Sequence, residues 1–92
     1  MNEPKMFEDE IQDRLRDLKD GDRIIIRHGS TTEALTCRES ATYEDGIVSR
    51  LRRFETANRS FVTRLVDRLY DYLESGCDVS VIIDGVQEPF YK

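Results

Sequence analysis

The sequence predicts an α+β fold: a two-layer α/β sandwich built from two α-β-β units, at about residues 6–36 and 61–91. The first supporting observation is a helix-spaced apolar stripe that ends at a glycine and precedes a β-branched strand, a pattern that occurs twice. The second is that a shift of 55 positions lays Gly21 on Gly76 and aligns both stripes and both strands without a gap. We expect the units to form a four-stranded, mainly antiparallel sheet in a single domain, residues 1–92.

The first helix is predicted to begin at Pro4–Phe7 and to end before Gly21. Glycine readily adopts the left-handed conformation that terminates many helices. The apolar residues of this segment share one stripe of a 3.6-residue helix: Met6, Phe7, Ile11, Leu15 and Leu18.

A β-hairpin is predicted directly after this helix. Residues 23–28 are rich in isoleucine, and Gly29-Ser30 fits a two-residue type II′ turn, which requires glycine first. Pairing outward from the turn sets Ile24 opposite Leu35, and the second strand is expected to end at about Arg38.

Residues 43–54 are predicted to form a short connecting helix. Thr42-x-x-Asp45 resembles a capping box, although Gly46 in the first turn costs about 1 kcal/mol relative to alanine. The apolar residues behind the box keep helical spacing: Tyr43, Ile47, Val48, Leu51 and Phe54.

The second unit begins with a long helix for which Thr56 or Asn58 is the predicted N-cap. Its stripe is broader than that of the first helix: Phe61, Val62, Leu65, Val66, Leu69, Tyr70 and Leu73. The hairpin after it turns at Asp84-Gly85, a strong type I′ signal. Because Pro89 has no N–H to donate to a neighbouring strand, we expect the last strand at an edge of the sheet.

Composition limits the class of protein. The net charge is −5, no apolar run approaches the length of a membrane span, and the acidic amino terminus has no signal-peptide core, so a cytoplasmic protein is expected. Cys37 and Cys77 lack a C-x-x-C spacing and are expected to be separate thiols in that compartment.

No catalytic, metal-binding or cofactor-binding motif is visible, and the sequence therefore predicts neither an enzyme nor a cofactor. His28 is the only histidine, and its place at a hairpin end suggests a solvated turn residue. Glu33 and Glu88 occupy equivalent positions in the two units. They suggest either a small-molecule site between the units or charges that protect the outer strands from aggregation.

The acidic side of the first helix is the first candidate binding surface. Its acids are Asp9, Glu10, Asp13, Asp17 and Asp20. Three of them recur every four residues, which places like charges about 6 Å apart and destabilises a helix slightly. Such a stripe suits mimicry of a nucleic-acid backbone in an inhibitor or regulator, or it is simply compensated by Arg14, Arg16 and Lys19.

An arginine-rich middle segment is the second candidate. It contains Arg50, Arg52, Arg53, Arg59, Arg64 and Arg68. These residues would bind nucleic acid if they met on one face, or they would pair with the acidic ends of the chain.

The sequence thus favours a small acidic protein that acts through protein–protein contacts, with a nucleic-acid-binding module as the alternative. A homodimer is expected through the C-terminal edge strand, at Val86, Glu88, Phe90 and Tyr91.

Overall fold

The computed structural model describes residues 7–91 and contains two helices and one five-stranded antiparallel sheet. In chain order the elements are α1 Glu8–Arg16, β1 Arg23–His28, β2 Thr31–Glu44, β3 Ile47–Glu55, α2 Leu65–Glu74, β4 Asp78–Ile83 and β5 Val86–Pro89. Strands lie across the sheet in the order β3-β2-β1-β4-β5. The α+β class is confirmed, but the prediction of four strands is wrong because β3 adds a fifth.

Helix α1 buries Ile11 and Leu15 of the predicted stripe, but Phe7 is 61% exposed and the helix is shorter than expected. It ends at Arg16, and residues 4–6 of its predicted start lie outside the described residues. Gly21 then adopts a φ of +95°, and its N–H donates to the Cys37 carbonyl of β2 over 2.8 Å. The glycine therefore lets the chain turn from the helix directly onto the sheet.

Both predicted hairpins are present with the predicted pairing. Ile24 faces Leu35 across the first hairpin, and Val81 faces Glu88 across the second. Asp84-Gly85 has positive φ at both positions, as a type I′ turn requires. Strand β5 lies at one edge of the sheet, as its proline indicated.

The two units meet where β1 pairs with β4. Ile24 faces Val81, and the residues that correspond to them under the 55-residue shift, Val79 and Ile26, also face each other. The pairing is therefore symmetric about the position where Ile25 meets Ser80.

One hydrophobic core contains the buried residues of both helices and of one side of the sheet: Ile11, Leu15, Leu18, Ile24, Ile26, Leu35, Cys37, Phe54, Leu65, Leu69, Leu73, Val79, Val81 and Phe90. We call that side of the sheet the helix side and the other the outer side. The helices depart from the repeat, because Leu65 is buried where the shift places the exposed Glu10. Helix α2 is thus turned about its axis relative to α1.

The helix predicted at residues 43–54 is absent, and this segment instead forms the end of β2, a two-residue turn and β3. Asp45 and Gly46 have φ values of +53° and +78°, which define a type I′ turn rather than the first turn of a helix. The predicted capping residue Thr42 contacts the Ser49 carbonyl on the opposite strand at 3.5 Å. The strands extend well past the core, and we call residues 38–53 the arm.

The predicted N-caps of α2 are also wrong, because α2 begins only at Leu65. The Thr56 hydroxyl accepts hydrogen bonds from the N–H groups of Asn58 and Ser60, so it stabilises a tight turn after β3. Phe61 then pairs with Glu55 and extends along the base of β3 instead of starting the helix.

Candidate protein-binding surface

The arm gives the molecule its elongated shape. The protein measures 52 × 27 × 24 Å along its principal axes, and the arm projects about 24 Å beyond the last core pair at the strand rise of 3.4 Å per residue. That last pair is Cys37 and Phe54, both buried. Beyond this pair, β2 and β3 are the two strands of the hairpin and pair with each other. Within residues 7–91, no other strand pairs with the outer edge of β3 along residues 47–53.

Four large apolar side chains of the arm are exposed to solvent. The exposed fractions are 74% for Tyr43, 66% for Ile47, 54% for Val48 and 47% for Leu51. The strand register puts Tyr43 opposite Val48 on the helix side, while Ile47 and Leu51 point to the outer side. Scattered apolar residues on a surface are ordinary, but this group lies within nine consecutive residues and covers both sides of one hairpin.

The base of the arm is attached to the body by one arginine side chain, in addition to the Glu39 N–H that donates to Asp20. The Arg52 guanidinium donates to the carbonyls of Leu15 and Arg16 over 3.0 and 2.8 Å, and to the Glu39 carboxylate over 3.3 Å. These carbonyls lie at the C-terminal end of α1, where the helix dipole favours a positive charge. Arg52 therefore fixes the base of the arm against the end of the helix.

A groove of about 380 Å³ lies beside this contact, between α1 and the arm. It is lined by Gln12, Leu15, Arg16, Glu39, Arg50 and Arg52. Its charges already contact one another, since Arg50 and Arg52 both approach Glu39, at 3.8 and 3.3 Å. The groove is consequently a region of internal ion pairing next to the exposed apolar residues.

The free edge of β3 offers unpaired backbone groups. Because the pair next to a two-residue turn is hydrogen-bonded, Ile47 and every second residue after it bond to β2. The residues between them direct their N–H and C=O groups away from the sheet: Val48, Arg50 and Arg52. The Phe54 carbonyl has this outward direction, and it accepts the Val62 N–H over 2.8 Å. The chain after β3 thus covers its base and leaves residues 47–53 open.

The predicted acidic surface is only partly available. The Glu10 carboxylate accepts the Phe7 N–H at 3.1 Å, and Asp20 accepts the Glu39 N–H at 2.8 Å. Asp13 pairs with Arg16 at 2.9 Å, although both side chains are about 70% exposed. Asp9 and Asp17 are exposed, and among residues 7–91 neither takes part in an ion pair. Two of the five acids are therefore used to stabilise the backbone.

The predicted arginine cluster is divided among several surfaces. Arg50 and Arg52 lie on the helix side of the arm, whereas Arg53 lies on the outer side, 4.8 Å from the Phe61 ring centroid. Arg64 pairs with Asp67 at 3.4 Å on α2. The other members are Arg59, in the turn after β3, and Arg68, exposed on α2. No single basic face brings the six together.

The predicted dimer edge at β5 is an edge, but its residues differ in exposure. Val86 and Tyr91 are exposed, whereas Phe90 is buried in the core. Arg14 is 10% exposed and contacts Glu88 at 2.7 Å, and it also donates to the carbonyls of Pro89 and Phe90. The C-terminal end of this edge is therefore held by a side chain of the same molecule.

The two equivalent glutamates do not share a site. Glu33 lies on β2 and Glu88 on β5, three strand spacings apart, which is at least about 14 Å. Glu33 accepts the Tyr72 hydroxyl at 3.4 Å and lies 4.0 Å from His28 Nε2. His28 stacks on the Tyr72 ring at a centroid distance of 5.6 Å, so it packs against α2 rather than standing free in water.

Both cysteines are free thiols. Cys37 is buried in the core and Cys77 is partly exposed. Burial raises the pKa of the Cys37 thiol above 9.0, and the positive charge of Arg52 opposes this effect. Cys37 is consequently a core residue rather than a reactive nucleophile.

Searches against protein-family models, curated protein sequences and solved structures found no match. Within residues 7–91, no group of histidine, cysteine and acidic side chains is arranged to hold a metal ion. The same residues include no helix with the length and apolar character needed to cross a membrane.

The sequence did not identify the arm as a candidate surface, because its apolar residues were assigned to the stripe of a short connecting helix. The signal that identifies it is Asp45-Gly46, the same dipeptide that correctly marked the turn between β4 and β5. An Asp-Gly turn followed by Ile-Val favours two paired strands over a helix.

Proposed function

We propose that this chain is a protein-binding module without enzymatic activity, and that it acts through contacts made by the arm. The observation that carries the proposal is the exposure of Tyr43, Ile47, Val48 and Leu51 on both sides of a projecting hairpin. Covering apolar surface contributes about 25 cal/mol per Å² removed from water, so a partner that encloses the arm gains substantial free energy.

The acidic side of α1 supplements this contact in the proposal. Asp9, Asp13 and Asp17 are exposed along α1 and its C-cap, and long-range charge chiefly accelerates association and selects among partners. A regulator or inhibitor that presents these acids to a basic protein, in place of nucleic-acid phosphates, agrees with the net charge of −5.

Two further elements of the proposal concern location and architecture. A cytoplasmic location is supported by two cysteines that remain separate free thiols. A two-layer arrangement of helices over the sheet is supported by the single core that both helices share with one side of the sheet.

The experiment that tests the proposed function is site-specific photocrosslinking in the source cells. Benzoylphenylalanine replaces Tyr43 on the arm in one variant and Tyr91 beside β5 in the matched control, since both are exposed tyrosines. We expect a protein adduct from position 43 that a protease removes and a nuclease does not.

Two results would contradict this proposal. The absence of any protein adduct at position 43, with efficient reaction at position 91, would exclude the arm as the contact surface. A nuclease-sensitive adduct would instead support nucleic-acid binding through the arginines, the alternative function for this chain.

A further inference from the structure

We propose that the partner of the arm is a second copy of this chain, joined by antiparallel pairing of the two β3 strands about a twofold axis at Ser49. This inference rests on the proposed function, because it identifies what the same arm binds. It predicts one continuous ten-stranded sheet across the dimer, since β3 is the outermost strand in each copy.

The backbone of β3 is suited to this pairing. Its outward N–H and C=O groups belong to Val48, Arg50 and Arg52, and the covered part of the edge begins only at Phe54. With the axis at Ser49, Val48 faces Arg50 of the second copy as a hydrogen-bonded pair, and the reverse pair follows from symmetry. These two pairs provide four backbone hydrogen bonds between the copies.

The arginines of β3 restrict the register. An axis at Arg50 would place that residue opposite its own copy, and an axis at Leu51 would place Arg50 opposite Arg52. Like charges directly opposite each other destabilise paired strands. Among the twofold pairings of residues 47–53, the axis at Ser49 gives the longest paired stretch in which no two arginines face each other. It also brings Arg53 of one copy beside Asp45 of the other.

The same register covers three of the four exposed apolar residues of the arm, those on β3. Ile47 faces Leu51 of the second copy on the outer side, and the symmetric pair completes a cluster of four side chains. On the helix side, Val48 lies beside the aliphatic stem of Arg50, which can cover it while the charge stays in water. A single pairing therefore explains why the arm is apolar on both sides.

The other free edge is less suited to a second copy. Strand β5 is only four residues long, Pro89 has no N–H, and Arg14 already binds the last carbonyls. Among the described residues, Gln87 is the one within β5 whose N–H and C=O both face away from β4. The β3 edge has more outward groups and more exposed apolar surface.

The first test measures self-association of the full chain by sedimentation at tens of micromolar. We expect a dimer, and we expect Arg50→Pro to raise its Kd about 30-fold, because it removes two of the four hydrogen bonds at about 1 kcal/mol each. The matched control Arg50→Thr keeps the N–H and is expected to change the Kd less than about threefold. Leu51→Thr, an exposed substitution that leaves the core intact, should also weaken the dimer.

The second test fixes the register with a disulfide. Ser49 of each copy would form a non-hydrogen-bonded pair with Cα atoms about 4.5 Å apart, within the range a disulfide spans. In a Cys77→Ser background, Ser49→Cys is expected to give a covalent dimer on oxidation. Leu51→Cys serves as the control, since its two copies would be about 14 Å apart.

The outcomes separate this inference from the proposed function. A wild-type monomer at tens of micromolar, or a dimer that Arg50→Pro leaves unchanged, overturns the β3 pairing. If position 43 nevertheless gives an adduct with a different protein, the arm remains a protein-binding surface and only its partner is wrong. Loss of both the dimer and the adduct contradicts the two proposals together.

Discussion

Replacing Arg52 with methionine should destabilise the protein by about 2 kcal/mol. Methionine keeps the length of the side chain but removes its bonds to α1 and its ion pair with Glu39. The Leu15 carbonyl keeps a hydrogen bond in the variant, because it also accepts the Leu18 N–H. The largest loss of stability is therefore the hydrogen bond to the Arg16 carbonyl, at about 1 kcal/mol. Loss of the positive charge at the helix end adds about 0.5 kcal/mol. The side chain is 32% exposed, so the ion pair adds a similar small amount.

The assay is urea unfolding followed by circular dichroism, with thermal unfolding as a second measurement, where this loss corresponds to roughly 10 °C. Arg50→Met is the matched control, because Arg50 lies on the same side of the same strand but is 73% exposed and contacts Glu39 only at 3.8 Å. We expect the control to lose less than about 0.5 kcal/mol. Equal losses in the two variants would refute the assignment of Arg52 as the residue that fixes the arm to α1.

Three further substitutions or conditions test other parts of the structure. Arg14→Met should cost about 2–3 kcal/mol in urea unfolding, since this largely buried guanidinium contacts Glu88 and two carbonyls; a loss below 1 kcal/mol would contradict that role. Gly46→Ala should cost about 1 kcal/mol because φ is +78°, and hydrogen exchange should quicken in the arm before it quickens in the core. Mass spectrometry should show that iodoacetamide modifies Cys77 well before Cys37, whose burial raises its pKa. Because the folded-state pKa of Cys37 is the raised one, its stability contribution is complete below pH 9.0 and declines as the pH rises towards the folded-state value.

The hairpin registers could be predicted from the sequence because each depends on a turn of fixed length. Once Gly29-Ser30 or Asp84-Gly85 is assigned to the turn, the facing residues follow by counting outward. The position of β5 at an edge was predictable from Pro89, which has no N–H to donate, whereas no turn of fixed length specifies the pairing of β1 with β4.

The arm was not predicted, although counting outward from Asp45-Gly46 gives its register, because its pattern of burial does not indicate a strand. Strands are recognised by alternation between a buried and an exposed side, and Ile47, Val48 and Leu51 are exposed on both sides. Without that alternation, the helical spacing of the same residues was misleading. Local turn chemistry at Asp45-Gly46 was the stronger indicator.

The position of the arginines depends on the same segment. A helix would have distributed Arg50, Arg52 and Arg53 around its circumference, whereas a strand divides them between two sides of a sheet. The contact of Arg52 with the end of α1 joins residues far apart in the chain, and no local pattern specifies it.

The symmetric meeting of β1 with β4 has a consequence for the origin of the chain. The 55-residue shift exchanges β1 with β4 and leaves their pairing unchanged. Each of these two strands therefore has the complementarity needed to pair with another copy of itself. A half-length ancestor with one helix and one hairpin could therefore have assembled as a homodimer before gene duplication joined the two halves.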